Sequence, residues 1–234
     1  MKRLLCVPII HDEADLGSAG AELAKKSILL SGENRWASHQ GVVSRFWKNV
    51  RELLISLDPA RLKLYQDGLA VGGETARKII EEAAGRGSRN YRLVEEMILL
   101  GAQVRKTEDP ALLLRERENL LTSMRRRPAG AGRGHPAQYQ QQRDRLMEER
   151  DNFIAENILT TLMEGELGVL FIGAKHRVMP RLTDHISVEA VVDPETVQAY
   201  FQELFFGDND GRLDELGRSL TSPFSAPQSW VTSD

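Results

Sequence analysis

Apolar residues recur along this chain in two spacings. Leu4-Leu5-Cys6-Val7-Pro8-Ile9-Ile10 and Val169-Leu170-Phe171-Ile172 are short continuous runs, the pattern of strands buried on both faces. Val42, Val43, Phe46, Val50, Leu53, Leu54 and Leu57 follow i, i+3, i+4 spacing before Asp58-Pro59, which predicts an amphipathic helix with a stop. That helical stretch starts near Leu16, after the capping residues Asp12 to Asp15, and breaks at Ser31-Gly32-Glu33-Asn34. Leu62 to Asp67 alternates apolar and polar residues, which predicts a strand. Helices are expected over 74–84 and 90–100, the second stopped by Gly101. A weakly patterned edge strand over 102–107 follows, and Asp109-Pro110 opens another helix. A long helix from Tyr139 to Met163 precedes the strand Gly168–Ile172, and a strand over His185–Val192 leads into a helix from Asp193-Pro194 to Phe206.

Strands alternating with helices define an α/β fold: a largely parallel sheet of about five strands, helices on both faces, and a long helix before the fourth strand. Residues 1–206 read as one such domain. Arg125 to Ala137, rich in arginine, glycine and proline without apolar periodicity, reads as a mobile basic loop. The stretch 207–234 is polar and expected to be disordered, although Leu213, Leu216, Phe224 and Trp230 could dock.

Composition narrows the function classes. In 234 residues, 31 basic and 34 acidic side chains give a net charge of −3, so no global field holds nucleic acid or an anionic membrane. No apolar run approaches the length of a membrane span. The single cysteine, Cys6, falls within an apolar run and has no intrachain partner, which fits a reducing, cytoplasmic setting.

Both strongest strand candidates run out at a histidine, His11 and His176. In parallel sheets the carboxyl ends of strands share one rim, where ligands bind. Asp67 and Glu108 end two further strands, so four titratable groups are expected at that rim. His11 lies in the acidic run His11-Asp12-Glu13-Ala14-Asp15, and Gly173-Ala174 before His176 permits close approach to a ligand. On the long helix, Arg150 falls four after Leu146 and four before Ile154, within the apolar stripe, while Glu149 borders it. Charges so placed require carboxylate, imidazole or ligand partners. His39, among Trp36, Phe46 and Trp47, reads as a packing histidine.

Together these motifs resemble the TraB/Tiki superfamily, which includes erythromycin-esterase-like and ChaN-like haem-uptake proteins. Glu149-Arg150-Asp151-x-x-Ile154-Ala155 is similar to that group's Glu-Arg-(Asn/Asp)-x-x-Met-Ala helix, and Gly173-Ala174-Lys175-His176 to its Gly-x-x-His strand end. His11 matches the histidine of the opening Gly-Thr-x-His motif, although Pro8-Ile9-Ile10 replaces its start. Thr107-Glu108-Asp109 is similar to a Glu-Asp of the esterase-like branch, and Asp67 stands where glutamate is commoner. The resemblance implies hydrolysis of an ester, amide or peptide bond in a small molecule or peptide. His11, Glu13, Glu108, Glu149, Arg150 and His176 are the expected catalytic groups, with Asp67, Arg150 and Gly173 on the substrate. In a metal-dependent version, His11, Asp67, Glu149 and His176 hold a divalent ion such as Mn²⁺ or Zn²⁺; in a metal-free version a histidine activates water directly. The alternative is a non-catalytic module that binds a small ligand, a protein partner or a second copy.

Overall fold

A computed structural model describes residues 1–10, 28, 32–125, 137–225 and 230. The strands are β1 (Arg3–Pro8), β2 (Leu62–Gln66), β3 (Gln103–Arg105), β4 (Leu167–Ile172) and β5 (Ser187–Ala190). The helices among the described elements are α1 (Glu33–Ser56), α2 (Gly73–Gly85), α3 (Arg89–Leu99), α4 (Pro110–Arg125), α5 (Ala137–Thr161), α6 (Pro194–Phe206) and α7 (Asp210–Leu220). The five strands form one sheet in the order β3-β2-β4-β1-β5, every pair parallel. The expected α/β architecture and the long helix before the fourth strand are both present.

Alternation along the strands divides the core into two layers. Leu5, Val7, Leu64, Val169 and Phe171 face a cluster that includes Val43, Phe46, Ile80, Val94, Leu204 and Leu220 of α1, α2, α3, α6 and α7. Leu4, Cys6, Tyr65, Leu170 and Ile172 face Ile154, Ala155, Ile158 and Leu162 of α5. Among the described residues, one face therefore carries five helices and the other the long α5. Gly168 is where the α5 layer closes tightly: a Cβ there would lie 2.7 Å from Leu4 Cδ1.

β2 is the strand expected, and it is buried at all five positions, because it lies second from the edge and is covered on both sides. Its polar residues are accommodated by side-chain partners: Lys63 Nζ donates to Gln103 Oε1 at 2.8 Å and Gln66 Nε2 to Asn90 Oδ1 at 2.8 Å. The stretch after Gly207, expected to be disordered, is not wholly without structure. Asn209 caps α7, its side chain accepting from the Arg212 amide, and Leu213, Leu220 and Trp230 are buried in the α1/α6 layer. The apolar spacing 213, 216, 220 outweighs the polar composition. The basic loop lies outside the described residues except for its ends, Arg125 and Ala137.

No helix among the described residues is long and apolar enough to cross a membrane.

Candidate functional site

Parallel topology gathers the ends of β2, β3 and β4 at one rim, and local hydrogen bonds fix the residues that follow each strand. The Asp67 amide donates to Phe171 O at 2.9 Å, extending the β2–β4 ladder by one residue. The amides of Thr107 and Glu108 both donate to Leu69 O, at 2.9 and 3.0 Å, so the chain leaving β3 is tied to the chain leaving β2. Thr107 Oγ1 also accepts from the Gln66 amide at 2.9 Å. After β4, the His176 amide donates to Gly173 O at 3.0 Å, a tight turn that brings the imidazole back over the sheet end.

Arg150 on α5 is the hub. Its Nη2 donates to Asp67 Oδ1 at 2.7 Å and to Glu108 Oε1 at 2.5 Å, its Nε to Glu108 Oε2 at 3.3 Å, and its Nη1 to Glu116 Oε2 of α4 at 2.8 Å. The guanidinium is buried, yet three carboxylates compensate it, as a charge inside the apolar stripe requires. Asp67 Oδ2 accepts from the Gly173 amide at 3.1 Å and lies 3.4 Å from His176 Nε2. A Cβ at position 173 would approach that oxygen to 3.3 Å and His176 Cδ2 to 3.6 Å, so glycine lets the amide reach the carboxylate. His176 Nδ1 lies 2.5 Å from Asp151 Oδ1, and Asp151 Oδ2 accepts from the Arg177 amide at 2.8 Å. The imidazole is thus held between two carboxylates.

These contacts set the protonation states. Burial disfavours the imidazolium of His176, but its hydrogen bonds to Asp151 and Asp67 outweigh that and raise its pKa to about 9. Burial would raise Asp67, but the hydrogen bond and charge of His176, then Arg150 and the Gly173 amide, hold it well below the usual carboxylate range. Glu108 goes the other way: its burial outweighs the bond to Arg150 and raises its pKa. Arg150 stays charged, its carboxylate partners overcoming the effect of burial. Two carboxyl groups at one rim therefore have opposite proton affinities.

Of the residues singled out in the sequence, the structure brings Asp67, Glu108, Arg150, Gly173 and His176 together. His11 and Glu13 lie outside the described residues. The strand leading to them runs beside β4, with Pro8 opposite Ile172 and the Ile9 amide donating to Ile172 O at 2.8 Å. Glu149 is not in the group; its carboxylate meets Arg115 Nη1 of α4 at 2.5 Å, and its side chain is 38% exposed. One residue of helix rotation separates it from Arg150, enough to turn it toward α4. His39 is the packing histidine expected, its Nδ1 3.0 Å from the Tyr200 hydroxyl and its pKa lowered by burial to about 4.

Asp151 and Glu116 belong to the site without having been singled out. Asp151 had a signal: it stands three before Ile154, four before Ala155 and seven before Ile158, on the same buried stripe. Glu116 had none, because its place depends on how α4 packs against α5.

Asp67, Glu108 and His176 each offer a ligand atom within 4.8 Å of the others. One imidazole and two carboxylates suit a divalent ion with mixed nitrogen and oxygen preference. Against that fit, both carboxylates already bond Arg150 and the imidazole holds a proton at neutral pH. A small groove lined by Pro8, Ile172, Gly173, Ala174, His176 and Pro194 opens beside the group.

No family model matches the chain, and neither the curated proteins nor the solved structures include a match.

Proposed function

We propose that this rim is a hydrolytic pocket for an ester, amide or peptide bond, working by acid–base chemistry without a metal. The observation that supports it best is the pairing of an imidazolium, backed by Asp151, with the ionised Asp67 beside a buried guanidinium. Asp67 is 20% exposed and, among the described residues, is the carboxylate that touches both Arg150 and His176. It orients the attacking water and accepts its proton as His176 gives its own to the leaving group, because loss of the imidazolium charge removes the largest hold on the Asp67 pKa. Arg150 stabilises the negative charge that develops on the substrate oxygen. His176 gives its proton to the leaving group, and Asp151 holds the ring in the orientation this requires. Gly173 keeps the approach to Asp67 open. The motif resemblance to the TraB/Tiki superfamily points to the same reaction class.

A second reading, a divalent-ion site, is favoured by the charge count. Among the described residues, Asp67, Glu108, Glu116 and Asp151 face Arg150, His176 and, 3.8 Å from Asp151, Arg181, which leaves one negative charge over. Mn²⁺ or Zn²⁺ would be held by Asp67, Glu108 and His176, with Glu108 in the place expected for Glu149. Such an ion would supply a bound water of lowered pKa, and His176 would first have to lose its proton.

The test is a panel of esters, amides and short peptides assayed with the metal-stripped chain, then with added Mn²⁺ or Zn²⁺. Turnover without metal, lost in His176→Ala and Asp67→Asn while folding is retained, supports the first reading. Activity only with metal supports the second. No turnover in either state leaves a non-catalytic binding module.

A further inference from the structure

The three carboxylates on Arg150 are not equivalent. Glu108 is fully buried and Asp67 largely so, and both are fixed to strand ends by backbone hydrogen bonds. Glu116 comes from α4, and its side chain is 36% exposed. The principal packing partner of α4 is α5, and Leu114 and Leu121 on α4 are 57% and 42% exposed. Glu116 is therefore the partner that can leave Arg150 without dismantling the sheet rim. Arg150 Nη1 is a donor with no other acceptor described, so whatever replaces Glu116 must itself accept a hydrogen bond. A carboxylate arriving from outside would leave the charge of the cluster unchanged, whereas a neutral group would leave a buried guanidinium undercompensated.

We infer that Glu116 occupies, in the free protein, the position on Arg150 Nη1 taken by a carboxylate of the substrate. This rests on the hydrolytic reading and adds a substrate class: acyl compounds that carry a free carboxylate near the scissile bond, such as a peptide at its C-terminal residue. The carboxylate would engage Nη1 while Nη2 stays on Asp67, so the bound anion lies next to the group that orients water. Binding then competes with Glu116, and the affinity seen for an external carboxylate is reduced by the fraction of molecules in which Glu116 holds Nη1.

The experiment titrates acetate, and separately inorganic phosphate, into the full chain at constant ionic strength, following the Arg150 side-chain ¹⁵N resonance. Glu116→Ala removes the competitor, and acetate should bind it about fivefold more tightly than the unaltered protein, the range open to a partly exposed ion pair. The isosteric Glu116→Gln should rank between them. Arg115→Gln, which breaks the other ion pair between α4 and α5, should leave acetate affinity unchanged. Equal affinity in the unaltered protein and Glu116→Ala, or no shift at Arg150, overturns the inference. Tighter binding of phosphate than acetate overturns the carboxylate assignment. Hydrolysis is scored separately: turnover of neutral esters without any acetate effect sinks the inference alone, and acetate binding at Arg150 without turnover sinks the hydrolytic reading alone.

Discussion

Replacing Arg150 by methionine tests whether the buried charges at the rim depend on one another. Methionine approximates the length of the side chain and preserves its apolar stem, so the main loss is the guanidinium. Glu108 would then be left in a dry site without its cation, while Asp67 keeps the imidazolium of His176, and removing one partner of a buried pair costs about 3–5 kcal/mol. The contact with Glu116 adds no more than about 1 kcal/mol, because that carboxylate is 36% exposed. The expected loss at pH 7 is thus about 3–5 kcal/mol, set mainly by Glu108. A domain near the middle of the ordinary range, about 10 kcal/mol, would remain folded. Urea unfolding monitored by tryptophan fluorescence and by circular dichroism gives the number. The double variant Arg150→Met with Glu108→Leu should recover part of the loss, since the more deeply buried orphan charge is gone. A single-variant loss below about 1 kcal/mol, or no recovery in the double variant, would show that the buried charges at the rim do not depend on Arg150.

Gly168→Ala should destabilise the chain by about 1–3 kcal/mol, because its Cβ would stand 2.7 Å from Leu4 Cδ1 between β4 and β1; the urea midpoint reads this directly. Stability should fall as pH rises from about 6.5 to about 9, since His176 is protonated in the folded state over that window and the unfolded chain is not. A shift of that size corresponds to about 3 kcal/mol, and His176→Asn should flatten the alkaline limb of a stability–pH curve. On the acid side, buried His39 stays neutral down to about 4 while the unfolded chain takes a proton near 6.5. Stability should therefore also fall from 6.5 toward 4, partly offset by Glu108, whose raised pKa lets the folded state bind its proton early. Cys6 is buried and its thiol is pushed up to about 12, so a disulfide reagent at pH 8 should label it only in denaturant.

Much of this site was legible because parallel topology converts sequence order into spatial convergence. A strand that ends at Asp67, one at Glu108 and one before His176 must open onto one rim once strands and helices alternate, whatever the separation along the chain. Arg150 was equally legible, since a cation on an apolar stripe needs partners. Glu149 was misplaced because a border position on a helix leaves its facing to the neighbouring helix, and Arg115 on α4 decided it. Asp151 lay within reach of the same stripe rule that identified Arg150. Glu116 did not, because the register between α4 and α5 is a tertiary fact with no local trace. The alternation over β2 identified the strand but not its burial: in a sheet covered on both faces, Lys63 and Gln66 are buried through side-chain partners that periodicity cannot reveal.

The chemistry of the rim turns on His176, held by Asp151 and Asp67, being a protonated imidazole at neutral pH within the cluster around Arg150. An NMR pH titration of the His176 ring reads this state. Its midpoint should fall near 9 and move down in Asp151→Asn. A midpoint at or below the ordinary value of about 6.5, unmoved by that substitution, would contradict it.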